Sequence, residues 1–377
     1  MDSNAPRIYL SPPYLSGNEW NYLQEALRSN WIAPVGPFIE RFEKEVCQVT
    51  NIQYSVALNS GTAAIHLGLQ LLGVGVGDEV ICPTLTFVAT ANPILYLGAK
   101  PIFVDSEPDT FNISPDNLRI CLKDRLKQGK KPAAVIVVHL YGMPAKMDEI
   151  VSICAEYQVP ILEDSAESLG ALYNNQATGT FGKMGIYSFN GNKITTTSGG
   201  GMLVSNEPEL INKACFLATQ ARDQASHYQH SAMGYNYRMS NLLAAIGCAQ
   251  LEQLQGFIQK RRHIFETYHH QLANVNGFSF IQEAPNCFST RWLTVLQIEP
   301  QLADTERVKL QTLLETHNIE SRPVWKPLHL QPLFAGCEYY GEDIAERFFN
   351  RGLCLPSGSS LTDSDLERII TLIKESL

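Results

Sequence analysis

The spacing of apolar and polar positions changes near residue 55. Before it, apolar residues recur every three or four positions over 19–29 and 40–50, which predicts two helices. After it, short apolar runs alternate with longer amphipathic stretches. They predict strands over 55–58, 79–82, 101–104, 134–139 and 160–162, and helices over 62–72, 87–97 and 146–157. This α/β alternation, with strands that are apolar almost throughout, predicts a mostly parallel central sheet with helices on both faces.

The last third of the chain follows a different pattern. A helix predicted over 241–255 leads into four basic residues at 260–263 and is expected to connect two units. A predicted strand over 292–297 and predicted helices over 304–317, 342–350 and 362–376 then indicate a smaller C-terminal α/β domain. We therefore expect an N-terminal arm and helix in 1–30, a large domain in 31–250 and a small domain in 251–377.

Composition and charge narrow the classes of function. The 377 residues are 45% hydrophobic and 18% charged, as in ordinary globular proteins. A net charge of −9 argues against a nucleic-acid binder, which normally carries a basic face. The nine cysteines are scattered without metal-ligand spacing, so we expect reduced thiols and no metal site. No apolar run approaches a membrane span and the first residues lack a secretory pattern, so a cytoplasmic protein is expected.

Two charged residues stand near the ends of predicted strands. Lys193 lies in a polar turn that precedes three consecutive glycines, and Asp164 follows the apolar run 159–162. A pyridoxal phosphate (PLP) enzyme needs a lysine that forms a Schiff base with the cofactor and a carboxylate that pairs with its pyridine nitrogen. Taken alone, each residue has a simpler explanation, a solvated surface lysine and a turn residue that caps the next helix.

Three further segments carry groups that suit the same cofactor. Residues 59–64 join a strand to a helix, and the amides there, with the Thr62 hydroxyl, suit a phosphate. A plain helix cap is the alternative interpretation. Ser188, five residues before the lysine, offers another hydroxyl. Phe87 follows a strand and suits stacking on a planar ring, although a core position explains it equally well.

Seven ordered blocks of the chain resemble the sugar-nucleotide aminotransferases of the DegT/StrS family, a branch of the fold-type I PLP enzymes. The resemblance covers most of the chain. The blocks are residues 31–37, SGTAA at 60–64, PTLTFVATANPI at 83–94, VHLYGMPAKMD at 138–148, LEDSAESLG at 162–170, YSFNGNKITTTSGGGM at 187–202 and GYNYRMSNLLAAIG at 234–247.

The resemblance implies a role for each matching side chain around the cofactor. Lys193 corresponds to the catalytic lysine, which holds PLP and, when released, acts as general base. Asp164 corresponds to the partner of the pyridine nitrogen and Phe87 to the aromatic residue that stacks on the ring. Many family members carry glutamine, in contact with the ring hydroxyl, where Glu167 stands here. That departure leaves the role of Glu167 open.

The phosphate and the oligomeric state are implied in the same way. Gly61, Thr62 and Ser188 fall where the family binds the phosphate. Asn236 matches an asparagine that reaches the phosphate across a dimer interface. The resemblance therefore implies a homodimer with two shared active sites.

A subgroup of the family indicates the substrate. Glu167, the NGNKI run and WKPLHLQP at 325–332 resemble enzymes that aminate C4 of UDP-linked 4-keto-6-deoxy-N-acetylhexosamines with L-glutamate as amino donor. Sugar or diphosphate contacts are then expected from Arg322, Trp325, Lys326 and His329, although a rigid loop would explain the same residues.

Other functions are compatible with the same residues. The enzyme could aminate C3 of a keto sugar, or C4 of a dTDP- or GDP-linked one. A protein of a different class, a regulator that kept the fold without catalysis, is a further alternative. Retention of Lys193, Asp164, Thr62 and Ser188 together opposes it, because a disused site is expected to lose one of them.

Overall fold

A computed structural model describes residues 6–299 and 303–376. The α-helices in these ranges are α1 Asn18–Arg28, α2 Pro37–Thr50, α3 Gly61–Leu71, α4 Asn92–Tyr96, α5 Pro115–Lys127, α6 Met147–Tyr157, α7 Pro208–Ala218, α8 Asn241–Glu252, α9 Leu254–Leu272, α10 Ala303–Thr316, α11 Ile344–Arg351 and α12 Asp363–Glu375. The strands are β1 Tyr54–Leu58, β2 Glu79–Pro83, β3 Lys100–Val104, β4 Ala134–Val138, β5 Ile161–Asp164, β6 Leu172–Tyr173, β7 Gln176–Ala177, β8 Met184–Ser188, β9 Gly201–Ser205, β10 Phe278–Phe280, β11 Cys287–Phe288, β12 Thr294–Ile298, β13 Arg322–Pro323, β14 Tyr339–Tyr340 and β15 Gly352–Leu355.

The central sheet has eight strands in the order β1-β9-β8-β5-β4-β2-β3-β14. β9 runs antiparallel to both of its neighbours, and the other pairs in the sheet are parallel. The mostly parallel α/β sheet predicted from the apolar pattern is confirmed, and it is the fold class that the resemblance to the fold-type I PLP enzymes implies. A smaller antiparallel sheet, β10-β12-β15-β13, lies in the C-terminal part.

Both faces of the central sheet are buried, which explains its unbroken apolar strands. Ala134 and Ile136 of β4 pack into a cluster with α3 and α7, whereas Val135 and Val137 pack into another with α5 and α6. The small sheet packs on α9, α10 and α12 through a third cluster. Within the described ranges, no helix is long and apolar enough to cross a membrane.

Some predicted boundaries differ from the structure for local reasons. The helix predicted over 87–97 is a 3₁₀ turn at Val88–Thr90 followed by α4, with Pro93 in its first turn. The helix predicted over 241–255 ends at Glu252, and α9 begins two residues later. Three helices are missing from the prediction: α5 and α7, which both begin at a proline, and α9, which follows α8 almost directly.

The domain boundaries at residues 30 and 250 stay a prediction. β14 belongs to the predicted small domain by its place in the chain, yet it pairs with β3 at the edge of the central sheet.

Candidate active site

A cavity of about 360 Å³ opens where β1, β2, β5 and β8 end, at the carboxyl edge of the central sheet. This is where parallel sheets place their ligands. The cavity brings together most of the residues singled out by the sequence. Its lining includes Gly61, Thr62, Phe87, Asp164, Glu167, Ser188, Lys193 and Trp325.

The N-terminus of α3 forms one part of this lining. Ser60 caps the helix, and its hydroxyl accepts a hydrogen bond of 3.1 Å from the Ala63 amide. The amides of a first helical turn attract an anion, because they have no partner within the helix. Ser188 lies against this turn, and a Cβ added at Gly61 would approach the Ser188 Cβ to 3.1 Å. The absence of a side chain at position 61 therefore allows the end of β8 to lie close to the start of α3.

Asp164, the last residue of β5, carries a buried carboxylate. It accepts hydrogen bonds from the Thr90 hydroxyl (2.7 Å) and from the Ala166 amide (3.2 Å). Thr90 is in turn 2.6 Å from the Thr86 hydroxyl. Burial raises the pKa of Asp164, and the Thr90 bond offsets this only in part. A cation placed against this oriented carboxylate would stabilise its charged form.

Lys193 lies in the loop between β8 and β9, with its side chain 12% exposed. Its Nζ is 3.5 Å from Oε1 of Glu167 and 4.1 Å from the centre of the Trp292 ring. The loop folds back on itself, because the Lys193 amide donates to the Asn190 carbonyl at 3.0 Å. The amine is thus aimed into the cavity with a carboxylate on one side and an aromatic face on another.

Glu167 is buried beside this amine. Its Oε2 accepts a 2.7 Å hydrogen bond from the Tyr141 amide. Burial raises the pKa of Glu167, and Lys193 acts in the opposite direction. A carboxyl in this position holds a proton more readily than an exposed glutamate does.

Aromatic side chains form the remaining wall. Phe87 is half exposed, with its ring 5.5 Å from that of Trp325. Tyr141 stacks between Trp325 and Trp292 at centroid distances of 6.1 and 6.2 Å. The indole Nε1 of Trp325 is buried without a hydrogen-bond partner among the described residues, so it offers a donor to a ligand.

Three residues that contribute to the site were not predicted from the sequence. Thr90 and Tyr141 lie inside blocks of the family resemblance, which was the available signal for them. Trp292 lies in a run whose apolar pattern predicts only a strand. Its place beneath Lys193 depends on packing between remote parts of the chain.

The structure does not bring the other predicted residues into the cavity lining of this chain. Asn236 is exposed, with its carbonyl accepting a 3.2 Å bond from the side chain of Asn59, which does line the cavity. Lys326 is exposed, and Arg322 is exposed and paired with Glu320 at 2.9 Å.

His329 has its ring nitrogens engaged elsewhere. Nδ1 is 2.6 Å from the Thr84 hydroxyl and Nε2 is 3.1 Å from a Glu346 oxygen, while the ring stacks on Tyr339. Sugar contacts from Arg322, Lys326 and His329 stay predictions, and these positions give them no direct support.

The residues present fit PLP in chemical type. An anion site at α3 suits the phosphate, the Asp164 carboxylate suits a protonated pyridine nitrogen, and the Lys193 amine suits the aldehyde carbon. Phe87 offers a ring face at the open side of the cavity.

Comparison with known proteins agrees with this fit. The pattern of the DegT/DnrJ/EryC1/StrS aminotransferase family matches residues 13–374. EpsN of Bacillus subtilis (strain 168), assigned by inference as a PLP-dependent aminotransferase, is 53% identical over 371 residues, covering 97% of this chain and 95% of EpsN. The GDP-perosamine synthase of Caulobacter vibrioides is 36% identical over 376 residues and covers 100% of both chains.

A solved structure gives the same result. Spr1654 of Streptococcus pneumoniae in its PLP form, assigned by inference as a sugar aminotransferase, superposes with a TM-score of 0.90 at 27% identity. The match covers 98% of this chain and 100% of Spr1654. The chain belongs to the DegT/DnrJ/EryC1/StrS aminotransferase family and is a sugar aminotransferase that uses PLP.

Proposed function

We propose that the protein transfers the amino group of L-glutamate to C4 of a UDP-linked 4-keto-6-deoxy-N-acetylhexosamine, giving the 4-amino sugar nucleotide. The observation that carries the proposal is the presence of Lys193, Asp164 and the N-terminus of α3 in the lining of one cavity. The choice of sugar is supported by the subgroup resemblance of Glu167, the NGNKI run and residues 325–332.

Lys193 is the proposed catalytic base. Its Nζ takes the proton from Cα of L-glutamate and later delivers a proton to C4 of the sugar. Because the amine is fixed in the cavity, this transfer avoids the entropic cost of bringing in an external base. A positioned acid–base group contributes on the order of 10²–10⁴-fold to a rate. The low exposure of the side chain, 12%, limits competition from water.

Asp164 is the proposed electrostatic anchor. PLP, when bound, supplies an electron sink for the carbon that loses its proton. Asp164 favours the protonated pyridine nitrogen that this chemistry requires, and the Thr90 hydroxyl at 2.7 Å holds its carboxylate in one orientation. The amides of α3, with the hydroxyls of Thr62 and Ser188, are proposed to hold the phosphate.

We further propose a cytoplasmic homodimer in which Asn236 of each subunit reaches the phosphate of the other. Asn236 is exposed beside the cavity residue Asn59. Exposed apolar side chains in 20–35 and at Tyr228 and Met233 are supporting evidence, because large exposed apolar groups often mark an interface.

A GDP-linked keto sugar is the second candidate. The similarity to a GDP-perosamine synthase over the full length of both chains favours it.

Product analysis separates the candidates. Purified protein with L-glutamate is offered UDP-, dTDP- and GDP-linked 4-keto-6-deoxy sugars, and the products are analysed by mass and by NMR at C3 and C4. We expect an amino group at C4 of the UDP-linked N-acetylated sugar with the highest kcat/KM. A preference for the GDP-linked sugar would show that this sugar, rather than the UDP-linked one, is the substrate. Amination of none of the three would contradict the proposed aminotransferase function.

A further inference from the structure

Arg261 of α9 is a buried cation without a carboxylate partner. Its residue exposure is 1%, and no acidic side chain in the described ranges lies within ion-pair distance. The guanidinium donates instead to the Trp292 carbonyl (2.6 Å), the Ser357 carbonyl (3.1 Å) and the Ser11 hydroxyl (3.2 Å). Burial lowers the pKa of Arg261 to about 9. Burying an unpaired charge is destabilising, so we expect this arginine to have a function that offsets the cost.

Two of its three partners hold the loop that carries Lys193. The Asn192 carbonyl accepts hydrogen bonds from the Ser11 hydroxyl and from the Trp292 indole Nε1, both at 2.8 Å. Trp292 also places its ring 4.1 Å from the Lys193 Nζ. The indole thus contacts the loop at two points, the Asn192 carbonyl and the Lys193 amine.

The N-terminal arm completes this arrangement. The Ser357 amide donates to the Leu10 carbonyl at 2.8 Å, so the arm and the loop at 357 are joined next to Arg261. Arg261 contacts both segments and Trp292 at once. A planar guanidinium, which donates in several fixed directions, suits such a junction better than lysine would.

We propose that Arg261 is a positioning residue for Lys193, acting through Ser11 and Trp292, which fix the carbonyl immediately before the lysine. The inference rests on the proposed role of Lys193. The amine must stand within a fraction of an ångström of its working position, because misplacement by about 1 Å can cost on the order of 10²-fold in rate. Arg261 itself does not line the cavity and touches none of the reacting atoms.

The test compares Ser11→Ala, Trp292→Phe, Arg261→Lys and Arg261→Met with the control Tyr268→Phe. Tyr268 is buried on the same helix and donates to the Pro356 carbonyl at 3.0 Å, so its loss removes a neighbouring bond that involves neither Arg261, Ser11 nor Trp292. Hydrogen–deuterium exchange of residues 189–200 is measured in cofactor-free protein. We expect about 2- to 10-fold faster exchange for each lost bond, and no change in the control.

The second readout is kinetic. In the Ser11, Trp292 and Arg261 variants kcat should fall, by about 10- to 100-fold for Arg261→Met, while KM for both substrates stays within about twofold. The pH dependence of the visible absorption of the PLP-loaded protein should shift as well. Arg261→Lys should not rescue, because the donors of an ammonium lie on one nitrogen and cannot reach acceptors that are spaced to fit a planar guanidinium.

The outcomes separate this inference from the proposed function. If Arg261→Met does not fold, Ser11→Ala and Trp292→Phe carry the test, because both variants keep the guanidinium and its two carbonyl acceptors. Exchange and kcat in these two variants equal to those of Tyr268→Phe, with PLP still fixed on Lys193, would overturn the positioning role alone. Fixation of PLP on another lysine would overturn the proposed function, and this inference with it.

Discussion

At the residue scale, the site places two buried carboxyls near one amine. Both Asp164 and Glu167 have a raised pKa because burial disfavours their charged forms. Paired acids and bases with displaced pKa values are typical of catalytic centres. The carboxylate of Asp164 is therefore destabilising until a cationic ring nitrogen lies against it, which links cofactor binding to stability.

Replacement of Asp164 by asparagine tests this link. The folded state binds the Asp164 proton more tightly than the unfolded chain does. The stabilisation that this proton gives is fully present below pH 3.8 and is lost as pH rises through the raised pKa of the folded state. Asparagine avoids that loss. Cofactor-free Asp164→Asn should therefore gain stability over wild type as pH rises from about 4 to 8, while its affinity for PLP falls.

Thermal unfolding across this pH range checks the prediction, with cofactor titration on the same samples. The exposed Asp116, in the first turn of α5, provides the control Asp116→Asn, which should show no such gain. Equal stability of wild type and Asp164→Asn at every pH would argue against a costly buried carboxylate.

At the element scale, the ends of a few strands and one helix build the site. The alternation of apolar runs was sufficient to predict the sheet, and the polar turns after β5 and β8 were visible as breaks in that pattern. Trp292 was not predictable in this way, because its neighbours come from the loop of Lys193, from α9 and from the segment of Tyr141. Contacts between segments far apart in sequence have no local signature.

The cap of α3 gives an element-scale prediction. Ser60→Ala removes the hydroxyl that accepts from Ala63, which should lower the free energy of unfolding by about 1 kcal/mol. The helix start should also hold the phosphate less well, weakening PLP affinity by about 2- to 5-fold. The matched control is Ser114→Ala, since Ser114 caps α5 by the same bond, at 3.2 Å, outside the cavity lining.

Unfolding by denaturant and titration with PLP distinguish the two helices. Both variants should lose similar stability, and only Ser60→Ala should lose affinity. An equal loss of affinity in Ser114→Ala would mean that the effect is general destabilisation rather than an anion site at α3.

At the scale of the whole molecule, the site is proposed to be shared between two subunits. The side chain expected to reach the phosphate, Asn236, is absent from the cavity lining of its own chain. A second copy related by a twofold axis would supply it. The family resemblance predicted the dimer, whereas no pattern within a single chain could show which surfaces meet.

Subunit mixing tests this assembly. Lys193→Ala and Asn236→Ala should each be nearly inactive. When they are unfolded and refolded together in equal amounts, the mixed dimer has one site with both residues intact, so about one quarter of wild-type activity should return. A mixture of Lys193→Ala with Asp164→Asn should recover nothing, because both changes fall on the same side of the interface. Full activity of Asn236→Ala alone would contradict the shared site.

The decisive measurement locates the lysine that holds PLP. The loaded protein is reduced with borohydride, digested, and analysed by mass spectrometry, with Lys193→Ala and the exposed Lys183→Ala treated in parallel. We expect loss of the yellow colour and a PLP adduct on the peptide that contains Lys193. The adduct should be retained in Lys183→Ala and absent from Lys193→Ala, which should also have no turnover. An adduct on another lysine, or near-normal turnover of Lys193→Ala, would contradict it.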